Sequence, residues 1–240
     1  MEFPTSLTWI GERLRSWPVR RQIALVCLLA VILAPVGPVL VFRWVPVPLT
    51  PLIAMRFLEG EGLEKQWVSL EEISPHLVRA VIASEDAKFC DHGGFDWEAV
   101  DYAVENLRSG GRRLGASTIS MQTAKNVFLW PDQNFLRKGL EAYLTLWIEF
   151  AWPKDRILEV YLNVAEWGPG IYGIEAAARH YYKVPARDLS RYQSSMLAAV
   201  LPSPRRWSPV KPGPHVVSRA STIAVRMNSI ALSTDGGCPD

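Results

Sequence analysis

The sequence predicts a mainly α-helical body behind a single N-terminal transmembrane helix. Three observations carry that reading. No charged residue occurs between Ile23 and Phe42. Downstream, apolar residues recur at helical spacing and are interrupted by proline and glycine. No alternating strand pattern runs for long, and no internal repeat is present. With 240 residues, 49% hydrophobic and 21% charged, the chain can fill one core, which excludes disordered, collagen-like and low-complexity classes. A formal net charge of +2 gives no reason to expect nucleic acid as a partner.

The charge is unevenly placed. Arg13, Arg15, Arg20 and Arg21 face only Glu2 and Glu12, so the whole excess lies in residues 1–22, a basic segment expected on the cytoplasmic side. Residues 23–43 follow as a signal anchor, since twenty helical residues span about 30 Å, the thickness of a bilayer core. Pro35, Gly37 and Pro38 could kink it. A cleaved signal peptide is the alternative, but the run exceeds a usual signal core and no A-x-A pattern follows. Arginines before the span and only Arg43 directly after it predict an inside N-terminus and an exported body.

Residues 44–59 read as an extended juxtamembrane connector, with Pro46, Pro48 and Pro51 close together. Leu52, Ile53, Met55, Phe57 and Leu58 in it could enter the core or rest at the membrane interface, and the pattern leaves both open. The body is expected over residues 60–232, with a tail at 233–240. Ser74-Pro75 starts a helix whose apolar face is Leu77, Val78, Val81 and Ile82. Phe135 to Phe150 is amphipathic, Pro153 opens a helix through Leu162, and Gly168-Pro169-Gly170 separates it from a helix over 174–182. Helices are also expected over 189–201 and 219–230, around a proline-rich stretch. Cys27 lies in the span, and a bond between Cys90 and Cys238 stays open without a spacing that argues for it. The four histidines show no metal-ligand spacing, so no protein-bound zinc is expected.

Three polar clusters could carry chemistry. Glu85 and Asp86 end an apolar helix and lead into a glycine turn, where a carboxylate can do acid/base work or simply be a solvated helix terminus. Ser117 and Thr118 can cap a helix carrying Gln122, Lys125 and Asn126, either as an anion site or as a cap without a ligand. Arg137, Lys138 and Glu141 could be a surface ion-pair cluster.

Together these residues form an ordered series. Glu85-Asp86-x-x-Phe89-x-x-His92-x-Gly94-x-Asp96, Gly115-x-Ser117-Thr118-Ile119-x-x-Gln122, Arg137-Lys138-x-x-Glu141 and Lys154-x-x-Ile157-Leu158-Glu159-x-Tyr161-Leu162-Asn163 resemble the motifs of the peptidoglycan glycosyltransferases, glycosyltransferase family 51. The likeness continues through Gly168–Ala178 and is nearest to the monofunctional members, with no second domain. It implies a lysozyme-like α fold that polymerises lipid II into β-1,4-linked glycan strands, with inversion at the MurNAc anomeric carbon and release of undecaprenyl pyrophosphate. Glu85 then matches the catalytic base for the acceptor GlcNAc 4-hydroxyl. Glu141 matches the second essential carboxylate, expected to organise the donor pyrophosphate or its cation. Lys125, Arg137 and Lys138 would meet the pyrophosphate, and Asp86, Ser117, Thr118, Gln122 and Asn126 would bind substrate around it. No cofactor is expected on the protein alone, with Mg2+ or Mn2+ arriving on the lipid pyrophosphate. The implied partners are lipid II, the growing lipid-linked glycan, membrane lipid and other cell-wall synthases, at the bacterial inner (plasma) membrane with a periplasmic catalytic domain.

The sequence departs from the commoner pattern at Cys90, where an aromatic residue is frequent and the change is expected to be tolerated. It also departs at Met121, where glutamine is frequent, and at Gln133, where an arginine often stands. A glycan-cleaving lytic enzyme needs no cations for a pyrophosphate, and a non-catalytic cell-wall scaffold needs no intact Glu85, Lys125 and Glu141; both are the weaker alternatives. Ser208-Pro209-Val210-Lys211 reads S-x-x-K but lies in a proline-rich stretch with no K-T-G after it, so no transpeptidase is expected.

Overall fold

The computed structural model describes residues 17–111, 115–132 and 134–239. The chain divides into two compact units, one ending at Phe42 and one running Arg43–Asp240. In the first, α1 (Val19–Leu33) and α2 (Val36–Phe42) cover the uncharged run. The expectation of one continuous span is not met as a single helix. The chain turns at Ala34-Pro35, where proline has no N–H to offer the preceding turn. Among the described residues no helix is long and apolar enough to cross a membrane. Ile23, Val26, Leu29, Leu33, Leu40 and Val41 are all exposed. Arg13 and Arg15 of the basic segment lie outside the described residues.

The second unit begins earlier than the expected boundary at residue 60. Val47, Thr50 and Ile53 are buried, and α3 (Pro51–Leu58) packs on the helix that follows the second motif. Thr50 Oγ1 accepts from Ile53 N at 3.3 Å and Pro51 fills the first helical position. Cations fasten the extended stretch before it: Arg156 Nη2 donates to the Val45 carbonyl at 2.7 Å, Lys65 Nζ to those of Val47 and Pro48, and Arg43 to that of Ala151. Proline-rich backbone has few donors of its own, so its carbonyls are taken by side chains. Ile53 goes to the core while Met55, Phe57 and Leu58 stay exposed.

Two helix groups make the body. In one, α4 (Pro75–Glu85) buries Leu77, Val78, Val81 and Ile82, the face its spacing predicts. Ser74 precedes it but sends its hydroxyl to the Leu189 carbonyl at 2.8 Å instead of capping. α5 (Trp97–Arg108), not anticipated from the pattern, follows the Asp96 cap and carries no buried residue. The second group is α6 (Ile119–Phe128), α7 (Phe135–Ala151) and α8 (Lys154–Val164). Then come α9 (Ile174–Tyr182), α10 (Arg191–Val200) and α11 (Pro214–Arg226), the last two packing on α4 and on each other. α11 starts five residues before the expected Arg219 because Pro214 suits the first turn of a helix.

A small sheet has the order β1-β3-β2, with β1 (Glu64–Lys65) parallel to β3 (Ile171–Tyr172) and β2 (Glu166–Gly168) antiparallel to it. Its turn needs glycine: at Gly170, φ is +72° and a Cβ would meet the Gly62 carbonyl oxygen at 2.4 Å. Much of the fourth motif is scaffold. Asn163 accepts from Val68 N and donates to Val68 O, at 3.0 and 2.9 Å, and Lys154 reaches Glu149 at 2.8 Å across the Phe89 ring.

Cys90 and Cys238 form a disulfide. Asp155 Oδ1 accepts from Cys238 N at 2.7 Å, and Arg79 of α4 donates to the Ile230 carbonyl at 3.3 Å. The tail is thus fastened to the body, and Cys90 is a bonded half-cystine.

Candidate active site

The end of α4 presents Glu85 with both carboxylate oxygens engaged. Oε2 accepts from Gln122 Nε2 at 3.1 Å; Oε1 accepts from Arg219 Nη2 at 3.2 Å and from Ser84 Oγ at 3.4 Å. The side chain is 12% exposed, so it is sheltered yet reachable. Gln122 sits one turn into α6 because Thr118 caps that helix, accepting from Met121 N at 3.2 Å while donating to the Gly94 carbonyl at 2.7 Å. Behind Gln122, Tyr161 donates its hydroxyl to Gln122 Oε1 at 3.2 Å. Burial, with Glu85 and Asp86 nearby, holds the Tyr161 phenol well above its ordinary pKa, so it stays a neutral donor.

Asp86, next to Glu85, faces the other way. It is buried, accepting from Ile119 N at 2.9 Å and from His92 Nε2 at 2.9 and 3.1 Å. Gly94 N donates to His92 Nδ1 at 3.1 Å, which puts the ring proton on Nε2, facing Asp86. The pair Asp86–His92 joins the first motif to the start of α6, so Asp86 helps to set the register of the two segments. Thr118 is buried as well and caps α6.

One turn beyond Gln122, Lys125 is half-buried and, among the described residues, makes no hydrogen bond or ion pair. Burial is the largest influence on it and lowers its pKa; Glu141 and Glu85 oppose that shift, while Arg137 and Lys138 add to it. Lys125 therefore lies in the electrostatic field of both carboxylates. It lines a cavity of about 270 Å³ together with Gln122, Asn126, Tyr161, Arg56 and Glu166.

Glu141 is the third-motif carboxylate. Arg137 Nη1 donates to its Oε2 at 2.6 Å and Lys138 Nζ to its Oε1. Arg137 and Glu141 side chains are 8% and 3% exposed, so this is a buried pair and not a surface one. Lys138, 43% exposed, also donates to Ser117 Oγ at 3.1 Å. Both Glu141 oxygens are thus engaged by protein cations and Arg137 is largely buried, whereas Lys138 is 43% exposed and Lys125 half-buried. Among the described residues no three His, Cys, Asp or Glu side chains converge as metal ligands. Gln133, the expected missing cation, lies outside the described residues.

A family model described as Transglycosylase matches residues 53–228, which include every group just placed. The chain belongs to the transglycosylase family. A Rhodospirillum centenum protein named biosynthetic peptidoglycan transglycosylase is 55% identical over 210 residues, covering 87% of this chain and 90% of that protein. Proteins of the same name from Caulobacter vibrioides and Pseudomonas aeruginosa are each 50% identical, covering 88% and 81% of this chain and 94% and 86% of their own lengths.

Within the transglycosylase domain, sequence reasoning missed Arg219 and the role of Tyr161. Arg219 lies 134 residues from Glu85 in a helix that the pattern predicts but marks with no motif, and nothing local distinguishes it from a solvated arginine. Tyr161 stood inside the fourth motif, but only the fold shows that it backs Gln122.

Proposed function

We propose that the domain polymerises lipid-linked disaccharide units of peptidoglycan by inverting displacement, with Glu85 as general base. Glu85 takes the proton of the acceptor GlcNAc 4-hydroxyl as that oxygen attacks the donor MurNAc anomeric carbon. The bond to the pyrophosphate breaks on the opposite face, so the α-linked donor becomes a β-1,4 linkage. Lys125 and Lys138 meet the negative charge that gathers on the departing pyrophosphate. Interactions that strengthen as charge develops lower the barrier and do not merely bind. Asn126 and Ser117 flank those cations; Arg137 and Glu141 hold Lys138 in place. Any divalent cation travels with the pyrophosphate as part of the substrate.

The observation that carries this reading is a sheltered carboxylate, Glu85, in the same site as the Lys125 ammonium, which has no partner among the described residues. A glycan-cleaving enzyme has a neutral leaving sugar and no use for that ammonium. The uncharged run Ile23–Phe42, in which Ile23, Val26, Leu29, Leu33, Leu40 and Val41 are exposed, supports an anchor in the inner membrane with the N-terminus in the cytoplasm. An exposed apolar stripe on α7, with Phe135 98%, Leu136 72% and Phe150 85% exposed, supports contact of the catalytic body with lipid.

The test is incubation of detergent-solubilised protein with fluorescent lipid II, followed by gel resolution and muramidase digestion. A muramidase-sensitive ladder is expected, and Glu85→Gln should lower its rate on the order of 10²–10⁴-fold. Near-wild-type rates in that variant would remove Glu85 as base. Shortening of preformed glycan would reverse the reaction assigned.

A further inference from the structure

Arg219 comes from α11, and its guanidinium reaches the last turn of α4. Nη2 lies 3.2 Å from Glu85 Oε1 and 3.5 Å from the Ser84 carbonyl oxygen, so it holds the side chain and the backbone that carries it. Among the described residues it is the one cation within 4.0 Å of Glu85. The other basic groups of the site are elsewhere: Arg137 and Lys138 on Glu141, Arg56 on Glu59, and Lys125 without a partner among the described residues. The opposite oxygen, Oε2, is held by Gln122, itself held by Tyr161.

We propose that Arg219 is a positioning residue that, with Gln122, fixes the rotamer of Glu85 for proton transfer; this rests on Glu85 being the base. A free glutamate samples several staggered states at three torsions, and only a few of them face the acceptor oxygen. Brackets from two helices on two different oxygens select one. The anchor is firm because α11 packs directly on α4, and Arg219 is 29% exposed, too covered to swing freely into solvent. The arginine needs no contact with the sugar to act in this way.

Arg219→Ala, Arg219→Lys, Glu85→Gln and the double variant Glu85→Gln/Arg219→Ala test it, with kcat and KM measured for lipid II polymerisation. Circular dichroism would confirm that each is folded. Arg219→Ala should lower kcat roughly 10- to 100-fold, the range for a misplaced catalytic group, and leave KM within about twofold. Arg219→Lys should recover part of that loss, since an ammonium can still reach Oε1. In the Glu85→Gln background the arginine substitution should have no further effect, because a residue that acts through Glu85 has nothing left to position. Equal losses in both backgrounds, or a rise in KM with kcat unchanged, would overturn the proposal. Full kcat in Arg219→Ala while Glu85→Gln is inactive would overturn it and leave the base intact. An active Glu85→Gln would remove the base and the proposal together.

Discussion

Replacing Glu141 by glutamine separates two explanations for a carboxylate that the third motif marks as essential. The substitution keeps the shape of the side chain and removes its charge. Arg137, 8% exposed, then loses the partner at 2.6 Å while its Nε already lacks one. Removing one member of a buried pair leaves an uncompensated charge, at a cost of about 3–5 kcal/mol. Lys138 adds little, because at 43% exposure water replaces the lost contact. For a body of this size each kcal/mol moves the melting temperature by about 2–4 °C, so Glu141→Gln should melt roughly 6–20 °C below the wild type. Thermal unfolding of the detergent-solubilised protein, followed by far-ultraviolet circular dichroism, measures this. Turnover would be compared well below both midpoints. A variant that melts within about 2 °C of the wild type and yet is inactive would refute the reasoning. It would show that Glu141 meets the substrate directly and that the ion pair is incidental to stability.

The Cys90–Cys238 bond closes a loop of 148 residues, for which the chain-entropy estimate is about 5 kcal/mol and measured losses are typically about 2–5. Denaturant midpoints should therefore fall under reductant or in Cys238→Ser, and identical midpoints would contradict the estimate. Lys125 predicts opposite pH trends for stability and turnover. Burial favours its neutral amine in the fold, so between its folded and unfolded pKa values the unfolded chain binds the extra proton, and stability rises with pH. Turnover needs the ammonium and should fall over that window, earlier than for an ordinary lysine. Lys125→Met should lose about 10–100-fold in rate, the loss of a charge-assisted contact. It should also melt no lower than the wild type; a large drop in its melting temperature would contradict the burial argument.

Local signals in the sequence reached the helices with strong apolar periodicity, α4, α7, α8 and α9, because burial on one face is written into their spacing. They failed where the determinant is distant. α3 was read as connector because its prolines mask a helix whose burial depends on α6. α5 escaped because it buries nothing, so no apolar stripe announces it. At the candidate site, motif order brought out Glu85, Gln122 and Glu141, and the polar cluster after Thr118 brought out Lys125. It did not show which way Asp86 and Arg137 point, since neighbours such as His92 and the start of α6 decide that. Arg219 was invisible for the same reason, being joined to Glu85 only by the packing of α11 on α4. The disulfide was equally unreadable, as two lone cysteines carry no spacing rule.

That cross-link also sets an order of events during synthesis. Translation runs from Cys90 to Cys238, and at about 5–20 residues per second the separation of 148 takes roughly 7–30 s. Through that interval Cys90, five positions past Glu85, lacks Cys238, and for most of it α11 and Arg219 have not yet been made. Closure of the bond therefore requires that every motif and α11 have already been made. A chain cut short of Cys238 carries all the motifs and still lacks its closure.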